Sequence, residues 1–137
     1  MGYLLDTTRL GGIGHQRAAK SICAAYGSAA VEGRVVYEPC AEGGMAAIAV
    51  DAARRTIRLL WRGPPNAAGS PVLGGGAVWV TAYGDTTGTL YELNPATGAV
   101  RTQISIGEGL PHFSSPSLAS GTAFVATLHG VAAISGV

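Results

Sequence analysis

The sequence predicts an all-β fold in which a unit of four short antiparallel strands is repeated along the chain. Of the 137 residues, 47% are hydrophobic and only 12% are charged, and 21 glycines punctuate the chain. This composition suits many short strands joined by tight turns. A pattern of apolar and turn residues also recurs at spacings of 42 and 45 residues, which indicates a repeat architecture.

The repeat is clearest in three segments that align without gaps. They are SAAVEGRVVY (28–37), SPVLGGGAVW (70–79) and SPSLASGTAF (115–124). Each opens with a serine, carries an apolar residue at its fourth position, turns through a dipeptide rich in glycine or serine, and ends on an aromatic residue. We therefore expect Tyr37, Trp79 and Phe124 at equivalent positions on the second strand of each unit.

The second half of the unit is repeated as well. The segment AIAVDAARRTI (47–57) matches LYELNPATGAV (90–100), and VAAI (131–134) matches LYEL. After LYEL, Pro95 fixes φ and Gly98 accepts a positive φ, so a turn leads to a fourth strand. For this clearest unit we predict strands at 71–73, 77–82, 88–93 and 99–105.

A four-stranded antiparallel unit of about 40 to 45 residues, repeated in this way, is typical of a β-propeller blade. We therefore predict a partial β-propeller built of four-stranded antiparallel meander blades. Residues 1–27 are expected to end a preceding blade, 28–69 and 70–114 to form two blades, and 115–137 to form an incomplete blade. A small β-sandwich made from the same strands is the alternative architecture.

Three segments carry a family resemblance: SPVLGGGAVWV, GTLYELNPATGAV and SPSLASGTAFVA. They resemble the repeats of PQQ-binding-like β-propellers, the quinoprotein-type superfamily. The resemblance covers nearly all of residues 28–137, and GYLLD (2–6) is similar to the end of an earlier repeat. In that family a tryptophan closes the fourth strand. Here the corresponding position holds Thr102, and the first unit reaches Trp61 only with two extra residues.

The resemblance implies that the chain is the C-terminal part, about three blades long, of a larger propeller. Its expected partners are the missing blades or another protein, and its open edges near Gly2 and Val137 are expected to favour self-association. The implied function is that of a non-catalytic binding or scaffold module without a cofactor. The alternative is a fragment of a PQQ-dependent dehydrogenase, with PQQ and calcium as cofactors. The residues themselves indicate no catalytic or metal-binding group.

Cys23 and Cys40 are the only cysteines. If Glu32-Gly33 is a two-residue hairpin turn, Cys40 lies opposite Ala25, and a small bulge would bring the two sulfur atoms together. We expect a disulfide, with Cα atoms less than about 7 Å apart. Two buried free thiols or a metal site are the alternatives. A disulfide implies an extracytoplasmic location, and no signal peptide is evident in this chain.

The three histidines are dispersed in apparent loops and favour ordinary structural roles. His112 has a stronger case for a functional role than His15 or His129, because GEGLPHFSSP precedes an inner strand, where propeller loops line a face or a channel. No acidic residue lies near Ser114 and Ser115 to suggest a catalytic triad. The glycine run 74–76 lacks a following helix with Lys or Ser/Thr, so we interpret it as a strand turn.

Charge and hydropathy exclude two classes of interaction. The net charge is +1, and the sequence lacks the basic face of a nucleic-acid-binding protein. The only local basic cluster contains Arg54, Arg55, Arg58 and Arg62, which we interpret as a solvated strand edge that discourages strand addition. There is no run of eighteen apolar residues, so no membrane-spanning helix is expected.

Overall fold

The computed structural model describes residues 1–10, 12 and 14–137, and the regular structure in this part of the chain consists entirely of strands. Within these described residues, thirteen strands form antiparallel sheets of two, four, four and three strands, and each sheet follows the order of the sequence as a meander. None of the sheets is closed. The fold is therefore a partial β-propeller, as predicted, and not a sandwich.

The sheets are named here in chain order. The N-terminal hairpin pairs β1 (Gly2–Leu4) with β2 (Ala18–Lys20). The first blade contains β3 (Ala30–Glu32), β4 (Val35–Cys40), β5 (Gly44–Asp51) and β6 (Thr56–Arg62). The second blade contains β7 (Val72–Gly74), β8 (Ala77–Ala82), β9 (Thr89–Leu93) and β10 (Val100–Ser105). The third blade contains β11 (Pro116–Ala119), β12 (Thr122–Ala126) and β13 (Val131–Ser135).

The strands of the second blade agree with the sequence prediction to within one residue at each end. The aromatic residue of each repeat is the third residue of its second strand. It pairs in every blade with the third residue of the aligned segment: Ala30 with Tyr37, Val72 with Trp79, and Ser117 with Phe124. The ungapped sequence repeat is therefore also a repeat of backbone register.

A two-residue turn joins the first two strands of each blade. The turns are Gly33-Arg34, Gly75-Gly76 and Ser120-Gly121. In the first blade the turn lies one residue later than the predicted Glu32-Gly33. Gly33 has a φ of 57°, and a positive φ at the first central position matches the twist of the flanking strands, so the glycine determines where the chain reverses.

Two hydrophobic clusters lie between successive blades. Between the first and second blades Tyr37 and Trp61 pack against Val78 and Val80. Between the second and third blades Trp79 packs against Ala123 and Val125, together with Leu90 and Leu110. In both places the aromatic residue of one blade is covered by alternate residues on the second strand of the next, and Tyr37 and Trp79 are only 2% and 4% exposed.

Trp61 fastens the first blade to the second. Its Nε1 donates a hydrogen bond of 2.9 Å to the carbonyl of Pro95, and its indole ring covers Gly98, whose φ is 73°. The chain reaches this position through a bulge, because Ala47 pairs with Trp61 while Ile48 pairs with Leu59. The bulge absorbs one of the extra residues that the sequence comparison found before Trp61.

Candidate functional site

A pocket of about 500 Å³ opens where the loops that precede β3, β7 and β11 meet. Loops after β4 and β8 lie at the same end of the blades and complete its wall. The lining residues are Tyr26, Ala41, Pro65, Asn66, Ala68, Gly69, Thr81, Tyr83, Pro111, His112, Phe113 and Ser114. The site is therefore shared by three blades, and no single repeat contains it.

Four exposed rings dominate this pocket. Tyr26, Tyr83 and Phe113 are 73%, 44% and 57% exposed. The rings of Tyr83 and His112 are stacked with centroids 3.9 Å apart, and those of Tyr26 and Phe113 meet edge to face at 6.5 Å. Large exposed aromatic residues gathered around a concavity are typical of an interaction site.

The repeat explains why these rings meet. Tyr26, Ala68 and Phe113 occupy the same position in their units, two residues before the serines at 28, 70 and 115. Packing of the blades brings this position of each unit to one end, and the small Ala68 between them lets Tyr26 and Phe113 meet. The sequence pattern did not point to Tyr26, Tyr83 or Phe113, although extending the alignment by two residues pairs Tyr26 with Phe113.

Hydrogen bonds between blades hold the floor of the pocket. Thr81 Oγ1 donates to the Ser114 carbonyl at 2.6 Å, and Ser114 Oγ donates to the Ala126 carbonyl at 3.2 Å. The amide of Gly69 donates to the Thr81 carbonyl at 2.9 Å. Ser114 is thus engaged in structural hydrogen bonds, beside the pocket residue His112. His15 and His129 do not line this pocket.

The loop that presents Phe113 has an unusual backbone. Phe113 has a φ of 62°, in the left-handed region that a bulky side chain seldom adopts. The loop is anchored from both sides, because buried Leu110 donates its amide to the Gly84 carbonyl at 3.1 Å and Ser114 is bonded to the third blade. These anchors hold the ring of Phe113 toward solvent.

The hydroxyl of Tyr83 is also fixed, since it donates a hydrogen bond to Asp85 Oδ1. This bond, with a smaller contribution from burial, raises the pKa of Tyr83. The phenol therefore stays neutral at physiological pH, and Tyr83 presents an uncharged ring face to the pocket.

Cys23 and Cys40 form a disulfide, with their Cα atoms 5.5 Å apart. Ala25 lies opposite Cys40, as the sequence analysis expected. The register that leads to this pairing differs from the prediction, because Ala30 pairs with Tyr37. Between these two pairs, the segment from Ala25 to Ala30 is two residues longer than the segment from Tyr37 to Cys40. Those extra residues compensate for the later turn at Gly33-Arg34 and return Ala25 to Cys40.

The interpretation of the basic cluster as a solvated edge needs a correction at Arg62. Its Nη2 donates to the Ile22 carbonyl at 3.0 Å, and its Nη1 contacts Cys40 Sγ at 3.6 Å. Arg62 therefore ties the segment before β3 to the outer strand of the first blade and covers the disulfide. Arg54 lies at the surface, where it pairs with Asp51 at 2.8 Å.

A second exposed surface lies on the third blade. Phe124 is 40% exposed, although it shares its repeat position with the buried Tyr37 and Trp79. Alternation along β12 and β13 places Ala126, Val131 and Ala133 on the same face as Phe124, and all of them are exposed. No sheet in the described part of the chain covers this face.

The pocket residues do not fit PQQ with calcium. Calcium prefers carboxylate and carbonyl oxygens, and PQQ is a polycarboxylate that calls for cationic partners. Among the described residues lining the pocket, none is Asp, Glu, Lys or Arg. Across residues 1–10, 12 and 14–137, no group of three or more His, Cys, Asp or Glu side chains is placed to hold a metal ion.

Fold and site together define this chain as a partial β-propeller with an aromatic pocket on its loop face. It is similar to the crystal structure of BamB from Moraxella catarrhalis, with a TM-score of 0.62 and 20% identity over 92% of this chain and 38% of that one. It is also similar to the computationally designed Ika8 protein, with a TM-score of 0.55 and 10% identity over 77% of this chain and 31% of that one.

These likenesses support the β-propeller fold and nothing finer at such identities. The chain spans less than two fifths of either similar structure. No protein-family model matches the sequence, and no curated protein matches it. Within residues 1–10, 12 and 14–137, the structure contains no helix of the length and hydropathy needed to cross a bilayer.

Proposed function

We propose that this chain is a non-catalytic β-propeller module that serves as a binding or scaffold part of a larger, PQQ-like propeller protein. The observation that carries the proposal is the uncovered face of the third blade. Phe124 is exposed there, at a repeat position where Tyr37 and Trp79 are buried by the following blade.

The two interfaces inside the chain indicate what fits this face. Each covers an aromatic residue with small or β-branched apolar residues at alternate positions of a second strand, such as Val78 and Val80. We propose that the face around Phe124 takes a propeller-type sheet with the same alternation. Complete burial of a phenylalanine side chain contributes about 1.5–3 kcal/mol, so the contact favours association.

The competing function is that of a PQQ-dependent dehydrogenase fragment. The neutral, ring-lined pocket argues against it, since neither the calcium nor the cofactor carboxylates would find charged partners there. The proposal accordingly includes no cofactor.

The disulfide supports an extracytoplasmic location as part of the same proposal. Bonds such as Cys23–Cys40 persist in oxidising compartments and are rare in the cytosol. Cys40 is fully buried and is covered by Arg62, so we propose a structural role for the bond.

Light scattering of the purified chain tests the association. We expect the mass to increase with protein concentration, and Phe124→Ser to shift this increase to a higher concentration. Val100→Ser is the matched control, because Val100 is an exposed apolar strand residue in the second blade, whose two faces pack against other blades. A wild-type chain that stays monomeric, or one that Phe124→Ser leaves unchanged, would contradict the proposal.

A dye-linked dehydrogenase assay tests the competing function. The chain is incubated with PQQ and calcium, and then with alcohols or sugars as substrates. We expect no turnover above the protein-free control and no increase in thermal stability on adding PQQ and calcium. Turnover that depends on both the chain and PQQ would refute the non-catalytic proposal.

A further inference from the structure

We infer that the aromatic pocket binds an uncharged, proline-rich segment in the polyproline II conformation. The inference goes beyond the proposed function, because it concerns the loop face of the blades and not the sheet face around Phe124. The walls of the pocket consist largely of aromatic and proline rings. Tyr26 with Phe113, and Tyr83 with His112, form two pairs of rings, and Pro65 and Pro111 extend this ring surface.

Exposed aromatic ridges are the surfaces on which polyproline II segments dock. Such a segment has three residues per turn and rises about 3.1 Å per residue, so one turn spans about 9 Å. Because the conformation forms without a partner, it loses little entropy on binding. The ring centroids of His112 and Phe113 are 6.0 Å apart, so the two pairs form one continuous row of rings. One turn of such a segment would lie along this row, in a pocket of about 500 Å³.

The charge of the pocket restricts the ligand further. None of the described residues that line the pocket is Asp, Glu, Lys or Arg. The nearby carboxylate of Asp85 accepts a hydrogen bond from the hydroxyl of Tyr83 and so is already engaged within the chain. A charged ligand would therefore be desolvated in the pocket without an ionic partner, which favours an uncharged segment.

The hydrogen-bonding groups distinguish a proline-rich segment from other uncharged ligands. Two carbonyls of the pocket floor already accept hydrogen bonds from within the chain. The Ser114 carbonyl accepts one from the Thr81 hydroxyl, and the Thr81 carbonyl accepts one from the Gly69 amide. Asn66 Oδ1 accepts from Tyr91 at 3.3 Å, which leaves the Asn66 amide hydrogens as donors. The exposed hydroxyl of Tyr26 is a further donor. The Asn66 amide and the Tyr26 hydroxyl can therefore donate to acceptors on a ligand.

A proline-rich backbone has the complementary character, because proline has a carbonyl acceptor and no N–H donor. A neutral oligosaccharide would also stack on the rings, but each of its hydroxyls is a donor as well as an acceptor. Donors buried against this floor would lose hydrogen bonds to water without replacement. The hydrogen-bonding pattern therefore favours the proline-rich segment over a sugar.

The backbone of Phe113 is the second, independent observation. A φ of 62° is a strained backbone conformation for phenylalanine, and residues strained in this way cluster at ligand clamps and other functional sites. The strain here holds a 57% exposed ring at the rim of the pocket, beside Tyr26 and His112. Contact with a ligand accounts for this arrangement.

Fluorescence anisotropy of a dye-labelled, end-capped decaproline peptide tests the inference on the whole chain. A labelled Gly-Ser decapeptide is the control for nonspecific binding, and unlabelled maltotriose is the competitor that represents a sugar. We expect saturable binding of decaproline that changes little between low and high salt. Neither the Gly-Ser peptide nor maltotriose should bind in competition with it.

The variants Tyr26→Ala and Phe113→Gly should each weaken decaproline binding about tenfold or more, as expected for loss of a central aromatic anchor. Glycine is chosen at 113 because it keeps the positive φ while removing the ring. Tyr3→Ala, which removes an exposed tyrosine outside the pocket, should leave the affinity unchanged. Far-UV circular dichroism of each variant establishes that the strands are retained.

Three results would overturn the inference. They are the absence of decaproline binding at millimolar concentration, wild-type affinity for decaproline in Tyr26→Ala and Phe113→Gly, and displacement of decaproline by maltotriose. The light-scattering and turnover measurements above do not depend on these two residues. The binding inference and the proposed function can therefore fail independently of each other.

Discussion

Replacing Gly98 with alanine tests the contact that joins the first blade to the second. Gly98 has a φ of 73° and lies under the indole ring of Trp61. A side chain in the left-handed region costs roughly 1–2 kcal/mol. The added Cβ would also overlap the ring, and overpacking of this kind costs a further 1–3 kcal/mol or so. We therefore expect Gly98→Ala to lower the free energy of unfolding by about 2–5 kcal/mol.

Gly33→Ala is the matched control. Gly33 has a similar φ of 57°, but among the described residues a Cβ there would have no neighbouring atom within 4 Å. Gly33→Ala should therefore lower the free energy of unfolding only by the cost of the left-handed backbone, about 1–2 kcal/mol. Urea unfolding followed by far-UV circular dichroism measures both variants without relying on tryptophan fluorescence.

The double variant Trp61→Ala/Gly98→Ala completes a thermodynamic cycle. With the ring removed, the cost of Gly98→Ala should decrease to that of Gly33→Ala, because only the backbone contribution remains. If Gly98→Ala and Gly33→Ala lowered the free energy of unfolding equally in the presence of Trp61, the packing of the indole ring on the second blade would be refuted.

The other predictions concern single groups. Replacing both cysteines with serine should lower the free energy of unfolding by about 3 kcal/mol, because the disulfide closes a loop with a sequence separation of 17; reductant should destabilise the wild type but not this variant. Thr81→Val should cost about 1–3 kcal/mol, since the buried Ser114 carbonyl loses its partner. Thr127→Val should cost nothing in the same urea titration, because Thr127 Oγ1 is buried without a partner in the described part of the chain. Burial raises the pKa of Glu38. The folded state therefore keeps the Glu38 proton at pH values where the unfolded state has lost it. The contribution of Glu38 to stability falls as the pH rises above the ordinary pKa of a glutamate. Glu38→Gln should therefore gain stability relative to wild type between about pH 4 and pH 7, and a difference that does not change with pH would contradict this.

The positions of the strands were predictable because they depend on local rules. Alternating apolar residues define β8 and β9, and Pro95 with Gly98 ends one strand before the next begins. The ungapped repeat also placed Tyr37, Trp79 and Phe124 in one register, and it is the reason that the fold was recognisable from the sequence.

The first hairpin turn lies one residue later than predicted from the sequence, yet Cys40 pairs with Ala25 as predicted. Two errors compensated each other, since the later turn is offset by extra residues before β3. Irregularities of this kind are not encoded in hydrophobic alternation, because a bulge preserves the composition of a strand while shifting its partners.

By itself the sequence determined the repeat, the approximate strand bounds and the equivalence of the aromatic positions, because each depends on residues close together in the chain. Only the tertiary structure decided which equivalent positions are buried and which are exposed, as Trp79 and Phe124 illustrate. It also brought Tyr26 into contact with Phe113 across three blades. Such contacts depend on how whole sheets pack through side chains far apart in sequence, and no local pattern specifies that packing.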